Sequence, residues 1–167
     1  MANSIQDSVD TLNQLLDSCE GLSVERYVKP FHVAAFVALK EPLETALIKK
    51  LHEWKYRPLS NSCLILEELH DWKAEILNAP FFSFGLESLD KREVPGYSAL
   101  EAHEKQTELI QRFLNVISSV ASPGMRGLRL SSNDTAGQML CPYGGCHDYF
   151  VLVDCEFAFL IDFDWDS

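Results

Sequence analysis

At 167 residues, with 47% apolar and 23% charged residues, the chain has the size and make-up of one globular domain able to bury its own core, and it lacks the depletion of large apolar residues that marks disorder. No run approaches the roughly 18 uncharged apolar residues needed to span a bilayer, and residues 1–20 lack the basic start of an export signal. A cytoplasmic protein without membrane association is therefore expected, with its five cysteines (Cys19, Cys63, Cys141, Cys146, Cys155) reduced. The net charge of −11 disfavours nucleic acid and phosphate-rich surfaces and favours basic partners.

The charge is concentrated at the two ends. Five acids precede Arg26 and seven follow Arg129, with no Lys or Arg in either segment, while all 14 basic residues fall from Arg26 to Arg129.

A first helix is predicted over 4–20, where Ile5, Val9, Leu12, Leu16 and Cys19 recur at helical spacing before Gly21. The next run, 27–39, is apolar on every face and contains Pro30, so both a buried helix and a buried strand fit, with helix preferred. Glu41-Pro42 opens a second clear helix with Leu43, Leu47, Leu51 and Trp54 on one side, ending before Pro58. Residues 62–78 read as a third, carried by Leu66, Leu69, Trp72 or Lys73, and Ile76. A long connection over 81–97 follows. Ser98 and Glu101 then form a capping-box pattern, and Leu109, Ile110, Phe113, Ile117 and Val120 carry a helix to Ser122-Pro123-Gly124.

From Met125 onward the period changes to two, with short strands expected at 127–131 and 138–141 and a long one after them. The expected fold is a single α+β domain over 1–167, helical over 1–121 and β-rich over 125–167. Its N-terminal helices should pack on one face of a small C-terminal antiparallel sheet.

The last strand carries the most information. Phe157, Phe159, Ile161, Phe163 and Trp165 fall on one parity, and Glu156, Ala158, Leu160, Asp162, Asp164 and Asp166 on the other. Extending the strand back to Tyr149 would make it far longer than usual, so a turn or bulge is expected near Asp154-Cys155-Glu156. How Phe150 and Leu152 sort depends on that turn. Asp162, Asp164 and Asp166 are then spaced by roughly 7 Å along one face. Such a row is either solvated, guarding an edge strand, or placed to receive Lys and Arg of a partner or a cation. The candidate partner-binding residues are Asp154, Glu156, Asp162, Asp164, Trp165 and Asp166.

Cys141-Pro142-Tyr143-Gly144-Gly145-Cys146-His147 contains soft metal ligands but not the two separated ligand pairs of a structural zinc site, and Pro-Tyr-Gly-Gly is good turn chemistry. A metalloprotein or enzyme using Cys141, Cys146 and His147 is the alternative reading, and a structural subunit another. Glu67-x-x-His70, read as lying on a helix, stands alone where a di-iron bundle would need two such motifs. Gly96-Tyr97-Ser98 lacks the final Gly and the preceding strand of a nucleophile elbow. With no phosphate loop or dinucleotide fingerprint either, no catalytic residue, metal site or cofactor is expected, and the oligomeric state is left open.

A short acidic chain with helices followed by a small sheet, ending in Phe157-Ala158-Phe159-Leu160-Ile161-Asp162-Phe163-Asp164-Trp165-Asp166, resembles the bacterial immunity proteins that neutralise polymorphic toxins. The resemblance implies a protein that blocks a cognate toxin by occlusion, the toxin often being a basic nuclease or another cytosol-acting effector. It carries over no individual functional residue.

Overall fold

The computed structural model describes residues 6, 7, 9–11, 14, 31–36, 40–55, 64–79, 99–132, 146–155 and 157–165. Of these, residues 31, 32, 34–36, 54, 55, 99–103, 105, 106, 109, 120, 146, 147, 164 and 165 are described through the backbone alone. In chain order the elements are β1 (Phe31–Phe36), α1 (Leu43–Lys55), β2 (Leu64–Leu69), α2 (Trp72–Leu77), α3 (Ala99–Val120), β3 (Arg126–Ser132), β4 (Cys146–Val153) and β5 (Ala158–Trp165). Residues at 6, 7, 9–11 and 14 are helical and Val9 is buried; the rest of the predicted 4–20 helix lies outside the described residues.

The strands form one antiparallel sheet in the order β1-β5-β4-β3-β2. Both of its faces are covered. Phe150, Leu152, Phe159, Ile161 and Phe163 pack with Phe113 and Ile117 of α3, Ile76 of α2 and Val9. On the other face Leu128, Leu130, Tyr149, Val151, Val153, Ala158 and Leu160 pack with Leu47 and Leu51 of α1. Phe163 is the hinge of the first core: its ring lies 5.2 Å from Phe113 and 5.9 Å from Phe150, both edge-to-face. Such pairs add about 0.5–1.5 kcal/mol each beyond the area they bury.

The fold is α+β, but the division into a helical first part (1–121) and a β-rich second part (125–167) is corrected: β1 and β2 lie inside the first. Helices on one face only is corrected as well. Residues 31–36 are a strand rather than part of a helix. Their apolar character on every side follows from membership in a sheet covered by helices on both faces, which removes the alternation that normally marks a strand.

Residues 62–78 are not one helix. Leu64 and Leu66 pack toward α1 while Leu69 packs toward α3, so the three-residue step from Leu66 to Leu69, which imitates a helical face, joins opposite faces of a strand. Asp71 then caps α2, its Oδ1 accepting from the Ala74 N–H at 3.1 Å. Glu67 therefore sits on a strand and His70 in the following turn, which removes the helical Glu67-x-x-His70 motif. The helices predicted over 41–54 and from Ser98 onward, and the strand over 127–131, correspond to α1, α3 and β3. Residues 81–97 and 138–141 lie outside the described residues.

β4 and β5 form a hairpin whose register runs from Val153↔Ala158 to Cys146↔Trp165 without interruption. The expected turn is there. The Phe157 N–H donates to Asp154 Oδ1 at 2.7 Å and the Asp154 N–H to the Phe157 carbonyl at 3.0 Å. This loop puts Phe150 opposite Ile161 and Leu152 opposite Phe159, which settles the sorting of the first strand of the hairpin.

Candidate functional site on strand β5

β5 is an interior strand, between β1 and β4. At Asp162 this corrects the expectation of a solvated acidic row. Asp162 is only 2% exposed, because α1 covers the face that carries Ala158 and Leu160. An ionised carboxylate is costly to bury unless it is paired, hydrogen-bonded or bound to a cation, so Asp162 belongs to the interior chemistry of the sheet and not to a solvated strip. Asp154 is half-buried and committed to the hairpin loop, where its second oxygen also lies 3.5 Å from the Ser122 hydroxyl. Of the other candidates, Glu156 and Asp166 lie outside the described residues, and Asp164 and Trp165 are placed by their backbone.

The register brings together residues that the sequence keeps far apart. Asp162 stands between His32 of β1 and Tyr149 of β4, and Asp164 stands opposite His147 of β4. Alternation places all five positions on the α1 side of the sheet: Val33 belongs to the α3-side core, so position 32 takes the other face, while Tyr149 and Leu160 belong to the α1-side core. Tyr149 is 3% exposed.

The same alternation separates Cys146 from His147, neighbours in β4, so the two cannot act together from one face of the strand. Cys141 lies outside the described residues, and Cys155 is an exposed free thiol in the hairpin loop. Among the described residues no three His, Cys, Asp or Glu side chains converge to hold a metal ion. The pairing of His147 with Asp164 had a faint sequence signal, since polar residues at alternate positions interrupt two otherwise apolar strands. His32 had none, because its partner strand could not be identified from local pattern.

At the far end of the strand order, β2 carries Glu67 and Glu68, both exposed. Glu68 lies 3.7 Å from Arg126, and Arg129 reaches Glu75 of α2 at 3.4 Å while its guanidinium carbon sits 5.6 Å from the Phe150 ring centre. Elsewhere Lys49 pairs with Glu41, Lys50 with Glu53 at 2.5 Å and Arg112 with Glu108 at 2.7 Å. Surface pairs of this kind contribute about 0–1 kcal/mol each. Charged side chains on β2 also discourage strand-to-strand association.

The class these features define is an α+β protein with one antiparallel sheet clad in helices on both faces. No family model, curated protein or solved structure matches the chain. No helix among the described residues is long and apolar enough to cross a membrane.

Proposed function

We propose that the protein is a non-catalytic, cytoplasmic binding protein of the immunity type, which occludes a basic protein partner such as a toxin. The observation that carries this reading is the charge balance: 25 acids face only 14 Lys and Arg, and Lys49, Lys50, Arg112, Arg126 and Arg129 are each already beside a glutamate. By count the acids exceed Lys and Arg and leave the formal net charge at −11. Such a field speeds encounter with a basic surface and suppresses binding to nucleic acid.

Burial of Asp162 and the loop role of Asp154 leave Glu156, Asp164, Trp165 and Asp166 as the proposed contact residues, with charge from Glu156 and Asp166 dominant. The test is co-expression with the product of the neighbouring reading frame, scored by growth and by co-purification. A toxic, basic product should be neutralised and its complex weakened by salt. Glu156→Lys with Asp166→Lys should slow association at least about tenfold at low salt, within the range that electrostatic steering supplies. Unchanged association of the double variant, or no neutralisation of a basic partner, would overturn the reading.

A further inference from the structure

We propose, resting on the reading of a basic partner, that the outer edge of β2 takes up an extended, basic segment of that partner as a further strand of the sheet. β2 ends the strand order, and among the described residues only β3 pairs with it. In an antiparallel pair, alternate residues turn their backbone N–H and C=O groups toward the neighbouring strand and the others turn them away. Half of the six residues of Leu64–Leu69 therefore aim both groups away from β3, and an edge of this kind is a template for another strand.

The side chains along the edge say which strand fits. Leu69 packs toward α3, so Ile65 and Glu67 share its face by alternation. Both are exposed, and among the described residues Ile65, at 40%, is the one large apolar side chain left open. Arg129 stands directly opposite Glu67 in the register, yet it reaches Glu75 of α2 at 3.4 Å and lies against the Phe150 ring. Among the described residues no cation pairs with Glu67. On the other face Glu68 lies 3.7 Å from Arg126, too far for a hydrogen bond. A strand with Lys or Arg opposite Glu67, and an apolar residue two positions away opposite Ile65, gains an opposite-charge pair and an apolar pair on one face.

A second copy of the chain fits this edge poorly. Pairing β2 with itself brings two copies of Glu67 and of Glu68 to one seam, and neither strand supplies a Lys or Arg. Like charges so placed are destabilising. The net charge of −11 likewise holds copies apart while drawing a basic segment in.

The test uses the full chain, isotope-labelled for NMR, and a capped octapeptide, Thr-Val-Thr-Lys-Thr-Val-Thr-Lys, which puts Val and Lys on one face of a strand. Amide shifts should change along 64–69 and saturate in the millimolar range. Strand addition has a backbone signature: N-methylation of one alternating set of peptide amides should abolish binding, while methylation of the other set should leave it within about threefold, because only one set faces β2. Glu67→Lys should weaken the peptide by about threefold or more and favour its counterpart with Glu in place of Lys. Glu67→Gln, with an intermediate loss, serves where charge reversal disturbs the fold. Equal effects of the two methylated sets, shifts that map away from 64–69, or no binding overturn the proposal. So do hydrogen-exchange protection of every amide of 64–69 in the free chain, which would mean that the edge is already covered, and a dimer whose interface lies on those amides. Neutralisation and co-purification of the whole partner are scored separately, so the partner reading can fail while the peptide binds, and the peptide can fail while the partner is captured.

Discussion

Gly127→Ala tests the packing of α2 on the sheet. A Cβ added at Gly127 would lie 2.1 Å from Trp72 Cβ, 2.6 Å from Cγ and 3.2 Å from Cδ1. Carbon atoms in contact prefer about 3.5–4.0 Å, so β3 and α2 would have to separate by about 1.5 Å. The closest atom is fixed to the helix backbone, and rotation about χ1 cannot move it. Overpacking of a close-packed interior costs about 1–3 kcal/mol, and the rigidity of this contact puts the expected value near 3 kcal/mol. For a chain of this length that is a fall in Tm of roughly 6–12 °C. Thermal and urea unfolding followed by circular dichroism measure it directly. A double-mutant cycle isolates the cause: Trp72→Gly removes the clashing Cβ and should recover more than about 1 kcal/mol of the Gly127→Ala penalty, whereas Trp72→Ala keeps that atom and should recover little. A Gly127→Ala protein within about 0.5 kcal/mol of the parent, the range of ordinary surface changes, would refute the contact.

Three further substitutions follow from the geometry. Asp154→Ala removes the acceptor of the 2.7 Å bond from the Phe157 N–H; a loss of about 1–2 kcal/mol is expected in urea unfolding, with Asp154→Asn losing less because it keeps an acceptor oxygen. Asp71→Ala removes the cap that receives the Ala74 N–H and should cost about 1 kcal/mol by the same assay. Phe113→Ala empties a position that is 1% exposed and edge-on to Phe163. A loss of about 3–5 kcal/mol is expected, with the near-ultraviolet aromatic signal reduced if the protein still folds.

The elements that were legible in the sequence are those whose pattern is local. α1 shows Leu43, Leu47 and Leu51 every four residues after Pro42, and these are the side chains that meet the sheet. α3 shows Phe113 and Ile117 in the same way, and Asp154 at the hairpin announces a turn. β1 and β2 were not legible, for two different reasons. A strand such as Phe31–Phe36 that is apolar on both parities carries no period, and Leu66-x-x-Leu69 satisfies a helical spacing while serving two faces of a strand.

The site was hidden for a related reason. Parity correctly put Asp162 and Asp164 on the face away from Phe159, Ile161 and Phe163, but parity does not say what lies over a face. That depends on α1, which precedes β5 by about a hundred residues, and on β1, whose strand character the local pattern could not establish.

A sheet covered on both faces changes what a polar residue in a strand means. In a sheet with one wet face, aspartates at alternate positions are the default outward-facing residues and carry little information. In β5 the neighbouring positions on both parities, Phe159, Leu160, Ile161 and Phe163, are at most 5% exposed, so an aspartate at 162 replaces a buried apolar side chain at a cost that a solvated strip would never incur. An apolar residue there would extend the core that Leu160 and Tyr149 already form. The buried carboxylate of Asp162 is therefore informative about the interior in a way that Glu67 and Glu68, exposed on β2, are not. The acidity of this chain therefore includes at least one carboxylate, Asp162, that is enclosed on the strand between β1 and β4, and substitutions at Glu156 and Asp166, which test the proposed partner contact, should leave the stability that depends on Asp162 untouched.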